Sequence, residues 1–303
     1  MCESGTQILG KYVLRKCIGS GAFGEVWSAD SMSSGEPVAV KIERIQGNPA
    51  PTLQYESRVL QLLQGTPGIP RLRYFGRKDD VNGIFMVTEL LGPSLEEVAM
   101  SERMDLRPHE IKTPPPNYNY EGVLTQIGRQ MLQRLRTVHA RGMLHRDVKP
   151  DNFLFARTPE LDLSRRAVKG AQTTLPMLHI IDFGMAKRIK DPNDDVEKRA
   201  PSSGLIGSPR YASVFAHQGE PLGRRDDLIS MMYSLIFVAF GGALPWQSYT
   251  EREIYYIKEN MTPSELCAEL HPRHSIGWTT ILERLHTLRP QQIPDYDHIA
   301  SLL

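Results

Sequence analysis

The stretch His145-Arg146-Asp147-Val148-Lys149-Pro150-Asp151-Asn152 decides the reading of this 303-residue chain. Histidine, arginine and aspartate stand in succession, a lysine follows two positions after the aspartate, and an asparagine stands three after the lysine. Five fixed residues at that spacing arise by chance in a chain of this length with a probability on the order of 10⁻⁴. The residue types complement one another. Asp147 can accept a proton from a hydroxyl and orient it, Lys149 can neutralise charge that builds on a transferred group, and Asn152 offers an amide oxygen to a hard cation. Downstream, His179–Ile181 reads as a short apolar strand running into Asp182-Phe183-Gly184. A carboxylate at a strand end is placed to be a second metal ligand, with Phe183 anchoring the loop in the core.

Toward the N-terminus, Gly19, Gly21 and Gly24 lie in Gly19-Ser20-Gly21-Ala22-Phe23-Gly24-Glu25-Val26, where missing Cβ atoms let backbone N–H groups approach phosphate oxygens. In a chain with 24 glycines the pattern alone is weak. A dinucleotide-binding fold needs a helix opening at the third glycine and an acidic residue about 20 positions on. Here Glu25–Asp30 reads as a second strand and a lysine, Lys41, follows, so an oxidoreductase reading fails on both counts. Strand alternation over Val38–Glu43 sends Val38, Val40 and Ile42 to one face and Ala39, Lys41 and Glu43 to the other, the side of the glycine loop. In a helix predicted over Leu53–Gln64, Leu53, Glu56, Leu60 and Leu63 share one stripe. Burying Glu56 unpaired costs several kcal/mol, so it needs a cation, and Lys41 is the expected partner.

Around these motifs the chain changes character. Lys11–Ile18, Glu25–Asp30, Pro37–Glu43, Leu72–Gly76 and Ile84–Leu90 read as strands, whereas Tyr120–Arg141 begins a run of amphipathic helices. An α+β arrangement follows, a small sheet lobe and a larger helical lobe. Lys plus Arg number 36 against 35 Asp plus Glu, too balanced for a protein that grips nucleic acid through bulk charge. Three cysteines, Cys2, Cys17 and Cys267, form no CxxC pair, which excludes a disulfide framework and a cysteine zinc site. The first residues lack an apolar signal segment, so an intracellular protein is expected, cytoplasmic with the nucleus also open to it. Leu228–Trp246 is the one membrane-like run, and its serines and the Gly241-Gly242 break favour a buried core helix with no membrane partner.

Taken together, the segments GSGAFGEV, VAVK, ELLGPSLE, HRDVKPDNFL, IDFGMAK, GSPRYAS, RRDDLISMMY and LPWQ resemble a eukaryotic protein kinase of the casein kinase I family, from about Leu9 to Leu303. The activation segment, Ala186 to Tyr211, is also similar in length and wording to the tau-tubulin kinase branch of that superfamily. The resemblance implies a bilobal protein kinase fold, with an N-lobe over residues 9–91 and a C-lobe over 92–303. It implies a monomeric serine/threonine kinase that uses ATP and Mg²⁺ and acts on protein substrates. It implies that nucleotide contacts Ile18, Gly19, Gly21, Gly24, Val26, Ala39, Lys41, Thr88, Glu89 and Leu91, with Thr88 as gatekeeper and Glu89–Leu91 as hinge. It also implies that Asp147, Lys149, Lys41 and Glu56 carry the catalytic roles, that Asn152 and Asp182 hold the metal, that Ser208 and Arg210 face the substrate, and that Asp227 braces the His-Arg-Asp backbone.

The sequence also departs from that family. Tyr211-Ala212-Ser213 is the family's variant of the usual Ala-Pro-Glu, but Ser203, Glu251 and Glu253 stand where basic residues are expected. Whether primed or acidic substrates are preferred is therefore open. Residues 101–119, with the run Pro114-Pro115-Pro116, and 157–174 read as surface insertions. Ser202 and Ser203 are candidate phosphorylation sites. Because Lys41, Glu56, Asp147, Lys149, Asn152 and Asp182 are all present, an active enzyme is expected rather than a kinase-fold scaffold.

Overall fold

The computed structural model describes residues 3–21, 24–44, 52–78, 83–100, 120–158, 174–189 and 204–303. Residues 101–119, most of 157–174, the glycine-loop tip Ala22-Phe23, and Ser202 and Ser203 lie outside the described residues. The chain forms two compact units, one of Met1–Gly92 with Ile181–Gly184, the other of Pro93–Ile180 with Met185–Leu303. The sequence boundary at 91/92 did not foresee that four residues around Asp182 group with the first unit.

The first unit is an antiparallel sheet in the order β1-β2-β3-β4-β6-β5, with one helix. Its strands are β1 (Gln7–Ile8), β2 (Tyr12–Gly21), β3 (Gly24–Ser31), β4 (Pro37–Arg44), β5 (Leu72–Lys78) and β6 (Gly83–Glu89), and its helix is α1 (Thr52–Leu63). Alternation along β4 delivers Val38, Val40 and Ile42 to a core shared with Leu14, Trp27, Phe85 and Val87. Each such side chain stabilises the unit by about 1.5–3 kcal/mol on full burial. The opposite face of β4 carries Lys41 and the buried Glu43. Glu43 caps the neighbouring helix: its carboxylate accepts from the first-turn amides of Thr52 at 3.1 Å and Leu53 at 2.6 Å. A carboxylate there satisfies orphan N–H groups and favours the helix dipole, so strand β4 fixes where α1 begins.

In the second unit, α2 (Leu95–Met100), α3 (Tyr120–Ala140), α4 (Val214–His217), α5 (Arg224–Ala239), α6 (Glu251–Asn260), α7 (Pro263–Cys267), α8 (Pro272–Thr287) and α9 (Tyr296–Leu302) are accompanied by short strands. β7 (Met143–Leu144) pairs with β10 (Lys187–Arg188), and β8 (Phe153–Phe155) with β9 (Leu178–Ile180). Helix α5 is the expected core helix: Leu228, Ile229, Met231, Leu235, Ile236 and Phe237 are wholly buried, and it packs on α3 and α8. It stops at Ala239, earlier than the apolar run, because Gly241 and Gly242 adopt φ of 64° and 90° and turn the chain. Among the described residues no helix is long and apolar enough to cross a membrane.

Candidate active site

The first unit assembles a charge cluster around Lys41. The ammonium lies 2.7 Å from Glu56 Oε2 and 3.3 Å from Asp182 Oδ1. Glu56 is 4% exposed, on the buried stripe with Leu53, Leu60 and Leu63, which rules out a surface role for it. Burial alone would lower the pKa of Lys41, but the two carboxylates outweigh it and hold the lysine above its ordinary value. Asp182 is not at a strand end. β9 stops at Ile180, and Asp182 adopts a left-handed φ of 62°, uncommon for a residue with a Cβ. Its Oδ1 also accepts from the Gly184 amide at 3.4 Å, and a Cβ on Gly184 would lie 3.3 Å from the same oxygen. Phe183 is buried, as an anchor should be.

The glycine loop sits on the β2–β3 hairpin, with Gly19 opposite Val26, Gly21 opposite Gly24, and Val26 opposite Lys41. The three glycines are not equivalent. At Gly24, with φ of 112°, a Cβ would lie 2.0 Å from the Ile42 carbonyl oxygen, so packing against β4 demands glycine. Among the described residues, a Cβ at Gly19 would meet only Val26, at 3.7 Å, and one at Gly21 would meet nothing within 4 Å. Of the other residues expected to contact nucleotide, Ala39 pairs with Thr88 across β4–β6, Ile18 is half exposed, and Leu91 is half-buried. Glu89 is tied to Arg71 in both directions: its amide donates to the Arg71 carbonyl and its carboxylate accepts from the Arg71 amide.

The second unit assembles a separate cluster around Asp147, which is 8% exposed. One carboxylate oxygen accepts from the Ser208 amide at 3.0 Å and the Ser208 hydroxyl at 2.8 Å. The other lies 3.0 Å from the Lys149 ammonium, which also donates to the Ser208 hydroxyl at 3.2 Å. Asn152 Nδ2 donates to the Asp147 carbonyl at 2.8 Å and reaches its carboxylate at 3.4 Å. Beneath them Asp227 braces the loop by accepting from the amides of His145 and Arg146, both at 2.8 Å, and from His139 Nε2 at 2.9 Å. Burial would raise the Asp227 carboxyl, but His139 and the loop amides hold it below its ordinary value. The brace supports Arg146 at a left-handed φ of 67°, the kind of strain that persists only where the surroundings over-determine it.

The family model described as the protein kinase domain matches residues 12–292 of this chain. The chain belongs to that family. Protein kinase domains are phosphotransferases that generally use ATP and Mg²⁺, and in this kinase Lys41 meets Glu56 and Asp182 in the first unit while Asp147 meets Lys149, Asn152 and Ser208 in the second.

Three features of the kinase escaped sequence reading. Helix capping by Glu43 joins residues ten apart with no capping motif between them. Contact of Asp182 with Lys41 spans 141 positions. The third concerns Arg210, expected to face substrate: its guanidinium lies 3.7 Å from Glu96, on the first turn of α2. A hydrogen bond with Asp151, then burial, pushes the Glu96 carboxyl up to about 7. Arg210 therefore stands beside an acidic pair of its own chain, the half-buried Glu96 and the exposed Asp151, and is not an isolated cation. Tyr211-Ala212-Ser213 is fastened to α5 instead, since the Ser213 hydroxyl donates to Asp226 at 2.6 Å.

Proposed function

We propose that this kinase is an active serine/threonine enzyme of the casein kinase I type, transferring the γ-phosphoryl group of ATP, with Mg²⁺, to a protein hydroxyl. The observation that carries the proposal is the fixation of Asp147. Ser208, Lys149 and Asn152 engage both its carboxylate oxygens, so the base is oriented before a substrate arrives.

Bound Mg²⁺-ATP supplies the transferable group and neutralises phosphate charge. The chain's residues do the rest. Asp147 accepts the hydroxyl proton, and Lys149 beside it offsets negative charge on the transferred group. The Ser208 hydroxyl donates to one and accepts from the other, which locks the two together. Lys41, held by Glu56, offers its ammonium to phosphate oxygens. Packing among the described residues does not demand glycine at 19 or 21, and a phosphate approaching the backbone would. Asn152 bonds Asp147 through Nδ2, so Oδ1 would be the atom it offers to the metal ion, and the Asp182 carboxylate would offer an oxygen from the first unit. Mg²⁺ takes few protein oxygens and fills its sphere with phosphate and water, so the oxygen of either residue would be of a kind that suits it. The same reading has the kinase act as a monomer on protein substrates in the cytoplasm or nucleus.

The test is transfer from γ-labelled ATP to two matched serine peptides, one primed by an upstream phosphoserine, with Asp147→Asn as control. Transfer to serine that falls by about 10²–10⁴ in the control is expected. Strong preference for the primed peptide would place the kinase with ordinary casein kinase I enzymes; equal transfer would mark a diverged groove. ATP binding without transfer to either peptide would sink the catalytic reading and leave a scaffold.

A further inference from the structure

Helix α6 carries a lysine that no catalytic role uses. Lys258 is 4% exposed, and its ammonium donates to the carbonyls of Pro209 at 2.8 Å and Ala212 at 2.7 Å. The rings of Tyr233 and Trp246 flank it, with centroids 5.0 and 5.1 Å away. Trp246 in turn donates from its indole nitrogen to the Arg210 carbonyl at 2.8 Å. Three carbonyls in four consecutive residues, 209 to 212, thus end on one lysine and the tryptophan beside it. The Ser208 carbonyl closes the turn by accepting from the amides of Tyr211 and Ala212 at 3.0 and 2.9 Å.

We infer that Lys258 is a positioning residue for the acceptor substrate: it pins the 208–213 loop and so sets where Ser208 and Arg210 stand relative to Asp147. This rests on the kinase reading above. The argument is one of satisfaction and reach. Buried carbonyls must be paired, and an apolar side chain at 258 would take the lysine donor from the buried Ala212 carbonyl and leave the Pro209 carbonyl to His217 Nε2 alone, 3.2 Å away, in the segment that carries Ser208. The loop would repack to find partners, and Ser208, which meets Asp147 through both its amide and its hydroxyl, would move with it. Nothing in this chain of contacts includes Lys41 or the glycine loop. The effect should therefore fall on the acceptor and spare the nucleotide.

Lys258→Met keeps length and apolar bulk and removes the donor. Its KM for an acceptor peptide is expected to rise about tenfold or more, with KM for ATP unchanged. Lys258→Arg, which retains a donor, is expected to restore at least part of that loss. Amide hydrogen exchange supplies a readout without turnover: in Lys258→Met the amides of Tyr211 and Ala212 should exchange about tenfold faster or more, with α3 and α5 unaffected. Should Lys258→Met not fold, Trp246→Phe, which keeps a ring beside Lys258 and removes the donor to Arg210, should raise the peptide KM in the same selective way. Active variants whose peptide KM matches wild type, or whose KM for ATP rises in step, would overturn the inference, as would unchanged exchange. A wild-type chain that transfers nothing would instead overturn the kinase reading itself, while the exchange data still report whether Lys258 pins the loop.

Discussion

Two lysines, the half-buried Lys41 and the buried Lys258, are treated in opposite ways by the two units. Lys41 in the sheet unit is met by two carboxylates, and its pKa is held above 10.5. Lys258 in the helical unit is met by two carbonyls and two aromatic rings, and burial drives its pKa well below 10.5. The difference teaches what each site is for. Carboxylates keep the charge of Lys41 in place, as its proposed contact with phosphate requires, whereas carbonyl partners use a lysine as a hydrogen-bonding strut whose charge the fold disfavours.

The largest expected effect is chemical. Lys41→Met should lower kcat by about 10²–10³ with circular dichroism unchanged; turnover near that of wild type would break the comparison at its first term. Glu56→Gln should cost less, about tenfold in kcat, because Lys41 keeps Asp182 at 3.3 Å. A loss as large as that of Lys41→Met would show that Glu56 alone holds the lysine.

The two lysines should also differ in how stability responds to pH. Between the lowered folded value of Lys258 and 10.5 the unfolded chain binds more protons, so this lysine's contribution rises with pH across that window. For Lys41 the folded chain binds more protons, and its contribution is constant below 10.5 and falls above it. Urea unfolding at pH 7 and pH 10 should therefore show the wild-type advantage over Lys258→Met growing by up to about 1.4 kcal/mol per pH unit within the window, with no such growth against Lys41→Met. Equal slopes would erase the distinction. The smallest effect belongs to Arg210→Ala: with Glu96 beside Arg210, transfer to a primed peptide should drop by less than about threefold. A complete and selective loss would show that Arg210 leaves Glu96 to read phosphate.

The residues nearest one another along the chain were the easiest to read. Asp147, Lys149 and Asn152 lie within six positions, and their spacing alone announced a cluster that Ser208 completes. Lys41 and Glu56 were legible at longer range because each sits on a regular element, where period-2 alternation and a helical stripe state which way a side chain faces. Asp182 was only half legible. Its motif was plain, but no local pattern foretells a left-handed aspartate with an oxygen on Lys41. Lys258 was silent, since a lysine on an amphipathic helix ordinarily lies in solvent.

From the sequence alone came the α+β class, the order of the motifs and the pairing of Lys41 with Glu56. These follow from periodicity and from the cost of burying a lone charge, both of which act within elements or between adjacent ones. Only the tertiary structure decided that Glu43 starts α1, that Ile181–Gly184 groups with the sheet unit, that Glu96 stands beside Arg210, and that Lys258 holds the 208–213 loop. Those contacts satisfy polar groups that chain folding buries together, and which groups are buried together is known only once the chain has folded.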